Sequence, residues 1–429
     1  MGIQINGNTD IISATDGSLT IQGASGNLTG DLTGNVTGNV TGNLTGTAST
    51  ATAAATAYGL SGSPTLSGIT SVSTTNLTVN GNAYPTAGPL SNRNLVVNGA
   101  MQVWQRGDTT TSVTGNSYYS ADRFRNVTIS AGTWTLSKST TVPIGQGFAA
   151  SLKYDCTTAN ASLSAGSLLM LEQRFEGQDM QSLKKGTASA ESLTLSFWVR
   201  SNKTGTYIAE LRDEDNGRTI SQSYAIDASD TWEKKTLTFA GDTTGALDND
   251  NALSLYAGFY LAAGTDYSSG TLATSWETRT NANRAVGQVN LADNTANEWY
   301  ITGVQLEVGT VATPFEHRSF GDELRLCQRY YEKSSTWAFM SGITGLAYRV
   351  ITPAHTVTMR AGPTIKVFHP VTGVQNNVYE HSFATTRVVS SVNTSEAGGD
   401  SKIQSTTYLD LSTTPSYSVS GTVTWEAEL

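Results

Sequence analysis

Charge is what this chain has least of: 14% of its 429 residues are Asp, Glu, Lys or Arg, against roughly 25% in an ordinary soluble domain. The surface is therefore built from Ser, Thr, Asn, Gln and Gly, which suits β-structure better than helix. The few charges sum to −9 with no basic cluster, which argues against nucleic acid as a partner, because that affinity rests on Lys and Arg displacing counterions. Two cysteines, Cys156 and Cys327, make no disulfide framework and no metal-binding spacing, and both are expected to be free. No run of 18 apolar residues occurs, and "MGIQINGNTDII" lacks the basic-then-apolar pattern of a signal peptide, so neither secretion by that route nor membrane insertion is expected. The Asn-x-Thr triplets at Asn27, Asn35, Asn39, Asn43, Asn76 and Asn126 are then expected to be by-products of the repeat and not glycan acceptors.

Catalytic signatures are missing too. There is no phosphate-cradling G-x-x-x-x-G-K-[ST], no H-E-x-x-H, no C-x-x-C and no G-x-S-x-G, and His317, His355, His369 and His381 are scattered. Acidic pairs such as Glu210, Asp213 and Glu307 could serve glycoside hydrolysis, but any acidic β protein offers them. The chain is read as no enzyme, with polysaccharide depolymerase as the alternative from that class.

What is present begins with a repeat. "GNLTGDLTGNVTGNVTGNLTG", Gly26 to Gly46, places Leu28, Leu32, Val36, Val40 and Leu44 every fourth residue, each matched by one glycine per repeat. A period of four drifts against the 3.6 of a helix, and each interior glycine costs about 1 kcal/mol there. Collagen needs glycine at every third position. One chain cannot make a core from so few aliphatic groups, whereas three copies about a shared axis could bury them together. A threefold shaft is the reading; a flexible polar linker is the alternative. Residues 1–25 read as a small β element that joins an assembly, and 26–91 as shaft and Pro-containing junction, with the Ala/Thr tract "TASTATAAATAYG" left open between short helix and extended shaft.

From 92 to 318 the text becomes strands bounded by turns. In "ESLTLSFWVRSNKTG", Leu193, Leu195, Phe197 and Val199 share one face and Trp198 and Arg200 the other. In "ALSLYAGFYLAAG", Leu253, Leu255, Ala257, Phe259 and Leu261 point inward with Tyr256 and Tyr260 outward. "EWYITGVQLEVG" places Tyr300, Val304, Leu306 and Val308 inward and Gln305 and Glu307 outside. Such strands predict an antiparallel sandwich or jelly roll. "SFGDELRLCQRYYEK" predicts a helix of about four turns over 319–334, capped by Ser319 with Asp322. Its seam of Phe320, Leu324, Cys327 and Tyr331 could pack on its own sandwich or face two partner helices. Residues 335–429 read as a small second β domain. The fold class is thus mainly β: an elongated homotrimeric fibre with repeat shaft, jelly-roll sandwich, helical neck and C-terminal β domain.

The ordered blocks "NLVVNGAMQVWQRG", "YYSADRF", "SFWVRSNKTGTYIAEL", "DTWEKKTLTF" and "LATSWETRTNANRAVGQVNLADNTANEWYITGVQLEVGTVATPFEHRSFGDELRLCQRYYEKS" resemble tail-fibre and related appendage proteins of tailed bacteriophages over roughly 94 to 333. The resemblance implies a homotrimeric virion appendage, held to tail or adaptor proteins by its N-terminus and meeting a host-surface glycan or protein with its C-terminal domains. It also implies a central domain likened to carbohydrate-binding jelly rolls. A head-attached or purely structural fibre is the alternative.

Two sites are expected from the residues. Trp198, Arg200, Glu210, Arg212, Tyr256 and Tyr260, if they share an outer face, could stack on sugar rings and hydrogen-bond hydroxyls; the alternative is that loops or a neighbouring subunit cover them. The turns "RDEDNGR", with Asp213, Asp215 and Asn216, and "ALDNDNA", with Asp248 and Asp250, offer oxygen ligands, though neither completes a calcium-loop spacing. No cofactor is expected; a structural Ca²⁺ at these turns competes with ordinary solvated turns.

Overall fold

The computed structural model describes residues 78–79, 82–83, 88–89, 91–339, 356–368, 371–372, 374–375, 377–380, 385–388, 392–396, 405–409 and 418–429. The axial residues expected in the repeat, Leu28, Leu32, Val36, Val40 and Leu44, lie outside these described residues, as does the rest of 1–77.

In chain order the strands are β1 (Thr78–Val79), β2 (Asn82–Ala83), β3 (Thr109–Val113), β4 (Arg125–Ile129), β5 (Thr133–Ser139), β6 (Ser151–Thr158), β7 (Leu168–Glu176), β8 (Leu193–Ser201), β9 (Gly205–Asp213), β10 (Arg218–Ile226), β11 (Glu233–Phe239), β12 (Leu253–Ala263), β13 (Glu277–Thr278) and β14 (Glu298–Val308). From β3 to β14 they form two six-stranded antiparallel sheets, ordered β13-β10-β9-β12-β7-β4 and β11-β8-β14-β6-β5-β3. The chain passes repeatedly from one sheet to the other, as in a jelly roll, so each sheet's inner face is assembled from distant stretches.

Alternation explains the core. Leu193, Leu195, Phe197 and Val199 of β8 meet Leu255, Ala257, Phe259 and Leu261 of β12 in one buried cluster, and burying each such large side chain is worth about 1.5–3 kcal/mol. Aromatic edges fix its centre: Phe197 stands T-shaped to Phe259 at 5.0 Å, and Tyr154 to Trp299 at 5.9 Å.

Strand β14 departs from the predicted pattern at one point. Its register with β8 shifts between Thr302 and Gln305, and Gly303 takes φ +62, a β-bulge. The bulge reverses the alternation, so Trp299 and Ile301 are in the core along with Val304, Leu306 and Val308. Tyr300, expected inward, therefore projects outward beside its cross-strand neighbour Arg200.

The predicted four-turn helix is shorter. Helix α1 spans Phe320–Gln328, with Ser319 Oγ accepting from Asp322 N–H as expected of the cap. Tyr331 already belongs to strand β15 (Tyr331–Phe339). The chain leaves the helix where two aromatic rings are captured by the sandwich: the Arg123 guanidinium lies 3.4 Å over the Tyr330 ring and that of Arg106 3.6 Å over Tyr331. Of the predicted seam, Cys327 is buried and Tyr331 nearly so, both within this chain, while Leu324 is half-buried and Phe320 is 56% exposed. No continuous helical neck joins the four.

Beyond it, β15 pairs with β21 (Ser418–Glu426), which also pairs with β16 (Thr364–Phe368) and with β17 (Asn377–Glu380), itself paired with β18 (Thr385–Val388), in a five-stranded sheet, and β19 (Val392–Glu396) pairs with β20 (Ser405–Leu409). Residues 73–429 fall in one compact unit.

Candidate functional site: an aromatic cleft on one open sheet face

The six residues expected to share an outer face are divided between two sheets. Glu210, Arg212, Tyr256 and Tyr260 stand on β9 and β12, outside the first sheet, and the 264–292 segment covers that face. Tyr256 and Tyr260 are fully buried there with Ile208, Met170 and Ala285, and Tyr267 and Leu272 pack over them. Glu210 is spent on Arg284, which donates through Nε at 2.7 Å and Nη2 at 2.8 Å, while Thr219 Oγ1 and Tyr260 Oη donate at 2.6 and 2.9 Å. Burial pushes the Glu210 carboxyl up, but the Arg284 charge and these bonds overcome it and hold the group below its usual range. Arg212 lies 4.4 Å over the Tyr256 ring and pairs with Glu214. Four of the six are thus committed inside the fold.

Trp198 and Arg200 stand on β8, outside the second sheet, where both are half-buried and the 310–317 segment covers the outward side of neighbouring β14. Two rows cross this sheet. In the first, Arg200 reaches Asp230 at 2.7 Å and stacks on Tyr300 at 4.9 Å, while Lys153 donates to Glu298 at 2.6 Å and Tyr300 Oη donates to the same carboxylate at 2.6 Å. Burial raises the Glu298 pKa, and the bonds from Lys153 and Tyr300 outweigh it to leave the group lowered. This row is internally satisfied.

The second row is open. Trp198 lies between its cross-strand partners Lys234 on β11 and Thr302 on β14, and its ring forms part of a cleft of about 480 Å³. The bulge makes the floor: with no side chain on Gly303, the Phe148 ring descends onto the backbone between Trp198 and the 310–317 segment. Phe148 is T-shaped to Phe315 at 5.0 Å and tilted to His317 at 5.3 Å. Gln305 and Glu307, the outward polar residues of β14, hold the segment carrying these rings: Gln305 Oε1 accepts from Glu316 N–H at 2.8 Å, and Glu307 accepts from Thr313 N–H at 2.9 Å and Thr313 Oγ1 at 2.7 Å. Opposite, Pro143 O accepts from Gln146 N–H at 3.3 Å with Gly145 at φ +77, a tight turn that presents Ile144, 95% exposed, beside the cleft.

Such a cleft offers apolar ring planes flanked by the Lys234 ammonium, the Gln146 amide and the His317 imidazole. Only Trp198 of its residues was expected. Phe148, Phe315, His317 and Lys234 come from loops and an edge strand whose convergence no local pattern encodes; the one available signal was the glycine inside "YITGVQL", which marks a bulge.

Of the four acidic-turn carboxylates, three accept hydrogen bonds from within the chain. Asp213 is buried and accepts from Lys185 Nζ at 2.5 Å and Asn216 Nδ2 at 2.9 Å. Asp215 accepts from Asp248 N–H at 2.9 Å, and Asp250 from Ala252 N–H at 2.9 Å. Among the described residues no group of three or more His, Cys, Asp or Glu is placed to hold a metal ion.

No family model and no curated protein matches the chain. Solved structures with partial likeness include the enzymatically active domain of tailspike protein 4 of bacteriophage CBA120, at 16% identity and TM-score 0.26 over 50% of this chain and 21% of that one. The family 11 carbohydrate-binding module of a cellulosomal cellulase of Clostridium thermocellum matches at 11% identity and TM-score 0.24, over 48% of this chain and 100% of the module. TmCBM61, solved with β-1,4-galactotriose, matches at 11% and 0.23 over 51% and 99%. At scores this low, any case for function rests on the cleft itself.

Proposed function

We propose that the sandwich binds a saccharide, without catalysis, in the cleft beside Trp198. The observation that carries this is the convergence of Trp198, Phe148, Phe315 and His317 on a solvent-open sheet face with polar groups at its rim. Ring planes stack on the apolar faces of sugars while amide and ammonium groups meet the hydroxyls. No carboxylate is among the residues lining the cleft, so a two-carboxylate hydrolysis would have neither its acid nor its base there.

For the whole chain, the resemblance of its central blocks and its Gly26–Gly46 repeat support a trimeric virion fibre of a tailed phage, its N-terminus toward the particle and its sandwich toward the host envelope. Three weak sites on one stalk gain by avidity, since the first engagement raises the effective concentration of the others.

The test is Trp198→Ala in the full-length protein. Loss of one stacking contact is expected to weaken binding to host-envelope polysaccharide about tenfold, with unchanged solution mass and melting temperature. Unchanged binding by a correctly folded variant would remove the cleft from the account.

A further inference from the structure

Lys234 stands out among the cations of the open face. Arg200 is paired with Asp230 and Lys153 with Glu298. Lys234 is exposed at the cleft, and no carboxylate lies within ion-pair distance of it among the described residues. Glu316, the acid nearest the cleft in sequence, accepts from Asn94 N–H at 2.9 Å and sits by Arg318. An acidic chain of net charge −9 thus leaves one uncompensated ammonium beside the rings of Trp198 and Phe148.

Resting on the saccharide reading above, we infer that the cleft selects an anionic sugar, whose charged substituent is held by Lys234 while the ring packs against Trp198. A lysine is a point charge with rotatable donors and no planar fork, so it accepts a carboxylate or a phosphate alike; the shared chemistry is a negative group on the sugar next to the stacked one. The cross-strand pairing of Lys234 with Trp198 sets the two side chains about 5 Å apart at their Cβ atoms, within the span of one substituted hexose. The rest of the protein's field repels such a ligand, and so the single cation decides which part of the face it can approach.

The experiment uses full-length protein and three matched probe series: uronic-acid oligosaccharides, phosphorylated oligosaccharides, and the neutral counterparts of both. Wild type is expected to prefer one or both acidic series, with an affinity that falls as salt is raised. Lys234→Met is expected to abolish that preference, losing about fivefold more on the acidic probe than on its neutral counterpart. Trp198→Ala is expected to lose affinity for both. The response of the two acidic series separates carboxylate from phosphate. Equal binding of acidic and neutral probes, unmoved by Lys234→Met but reduced by Trp198→Ala, overturns the anionic preference and leaves the saccharide site standing. Binding to no probe in any series overturns the saccharide reading and the preference with it.

Discussion

Gly303 lies directly beneath the Phe148 ring: a Cβ at position 303 would stand 2.6 Å from Phe148 Cζ and 3.1 Å from Trp198 Cδ1. The same residue holds φ +62, where an L side chain is strained. Gly303→Ala is therefore expected to cost about 1–3 kcal/mol and to lift Phe148 away from Trp198. Denaturant unfolding reads the first effect and saccharide binding the second. A variant with wild-type stability and affinity would mean the bulge does not shape the cleft.

That bulge also marks where the sequence stops being readable. The inward sets of β8 and β12 follow from a strict period of two, and the residues Leu193 to Val199 and Leu255 to Leu261 fill the core as their alternation demands. Tyr300 did not follow, since one extra residue reverses every side chain before it and a local pattern carries no parity beyond the break. Tyr256 and Tyr260 do point out of the sandwich, but whether an outward aromatic meets water depends on a segment some twenty residues away, which here brings Arg284 down onto Glu210. The helix end was lost for a related reason: Tyr330 and Tyr331 continue a helical spacing, yet Arg106 and Arg123, two hundred residues earlier, hold their rings.

The Glu210–Arg284 pair carries its own expectation. Both side chains are buried, so Glu210→Gln leaves a guanidinium without its counter-charge and is expected to cost about 3–5 kcal/mol, whereas a joint Glu210→Leu, Arg284→Met replacement costs much less. Because the Glu210 pKa is depressed in the fold, its contribution is present above the unfolded carboxyl value and lost as pH falls through the folded one. Acid unfolding of wild type and Glu210→Gln should converge at low pH; parallel curves would contradict the pairing.

Asp122 runs the other way. Burial, only partly countered by Arg106 and the Gln105 side chain, pushes its carboxyl from 3.8 up to about 6. The folded protein then binds a proton that the unfolded chain releases, so this contribution is present at low pH and is lost as pH rises from about 4 to 6, by about 2–3 kcal/mol in total. Asp122→Asn carries a fixed cost from its altered bonds to Gln105 but no such slope. The stability difference between variant and wild type should therefore drift in favour of the variant across that window. A flat difference would place the Asp122 proton outside it.

Chelation tests the acidic turns. With Asp213 neutralised by Lys185 and the Asp215 and Asp250 carboxylates turned to backbone N–H groups, the melting temperature is expected to be the same with and without EDTA. A fall on chelation, restored by Ca²⁺, would give Asp248 and its neighbours a ligand role after all.

The last strand is tied to the sandwich by Glu428. Its carboxylate bridges Arg106, at 3.0 Å from Nη2, and Arg123, which is almost wholly buried and also donates to Arg174 O. Next to it, Ala427 N–H donates to Tyr330 O at 2.8 Å, and Arg360 Nε donates to Ala427 O at 2.9 Å. Glu428→Ala strands Arg123 without a carboxylate, and a buried charge left alone costs about 3–5 kcal/mol. The loss should first appear locally, as faster hydrogen exchange at the Ala427 amide while core amides such as that of Phe197 keep their protection. A second change, Arg123→Met, removes the orphaned charge and should restore part of the stability. If Ala427 exchanges at the wild-type rate in Glu428→Ala, the backbone bonds alone hold β21, and the ion bridge is incidental to the docking.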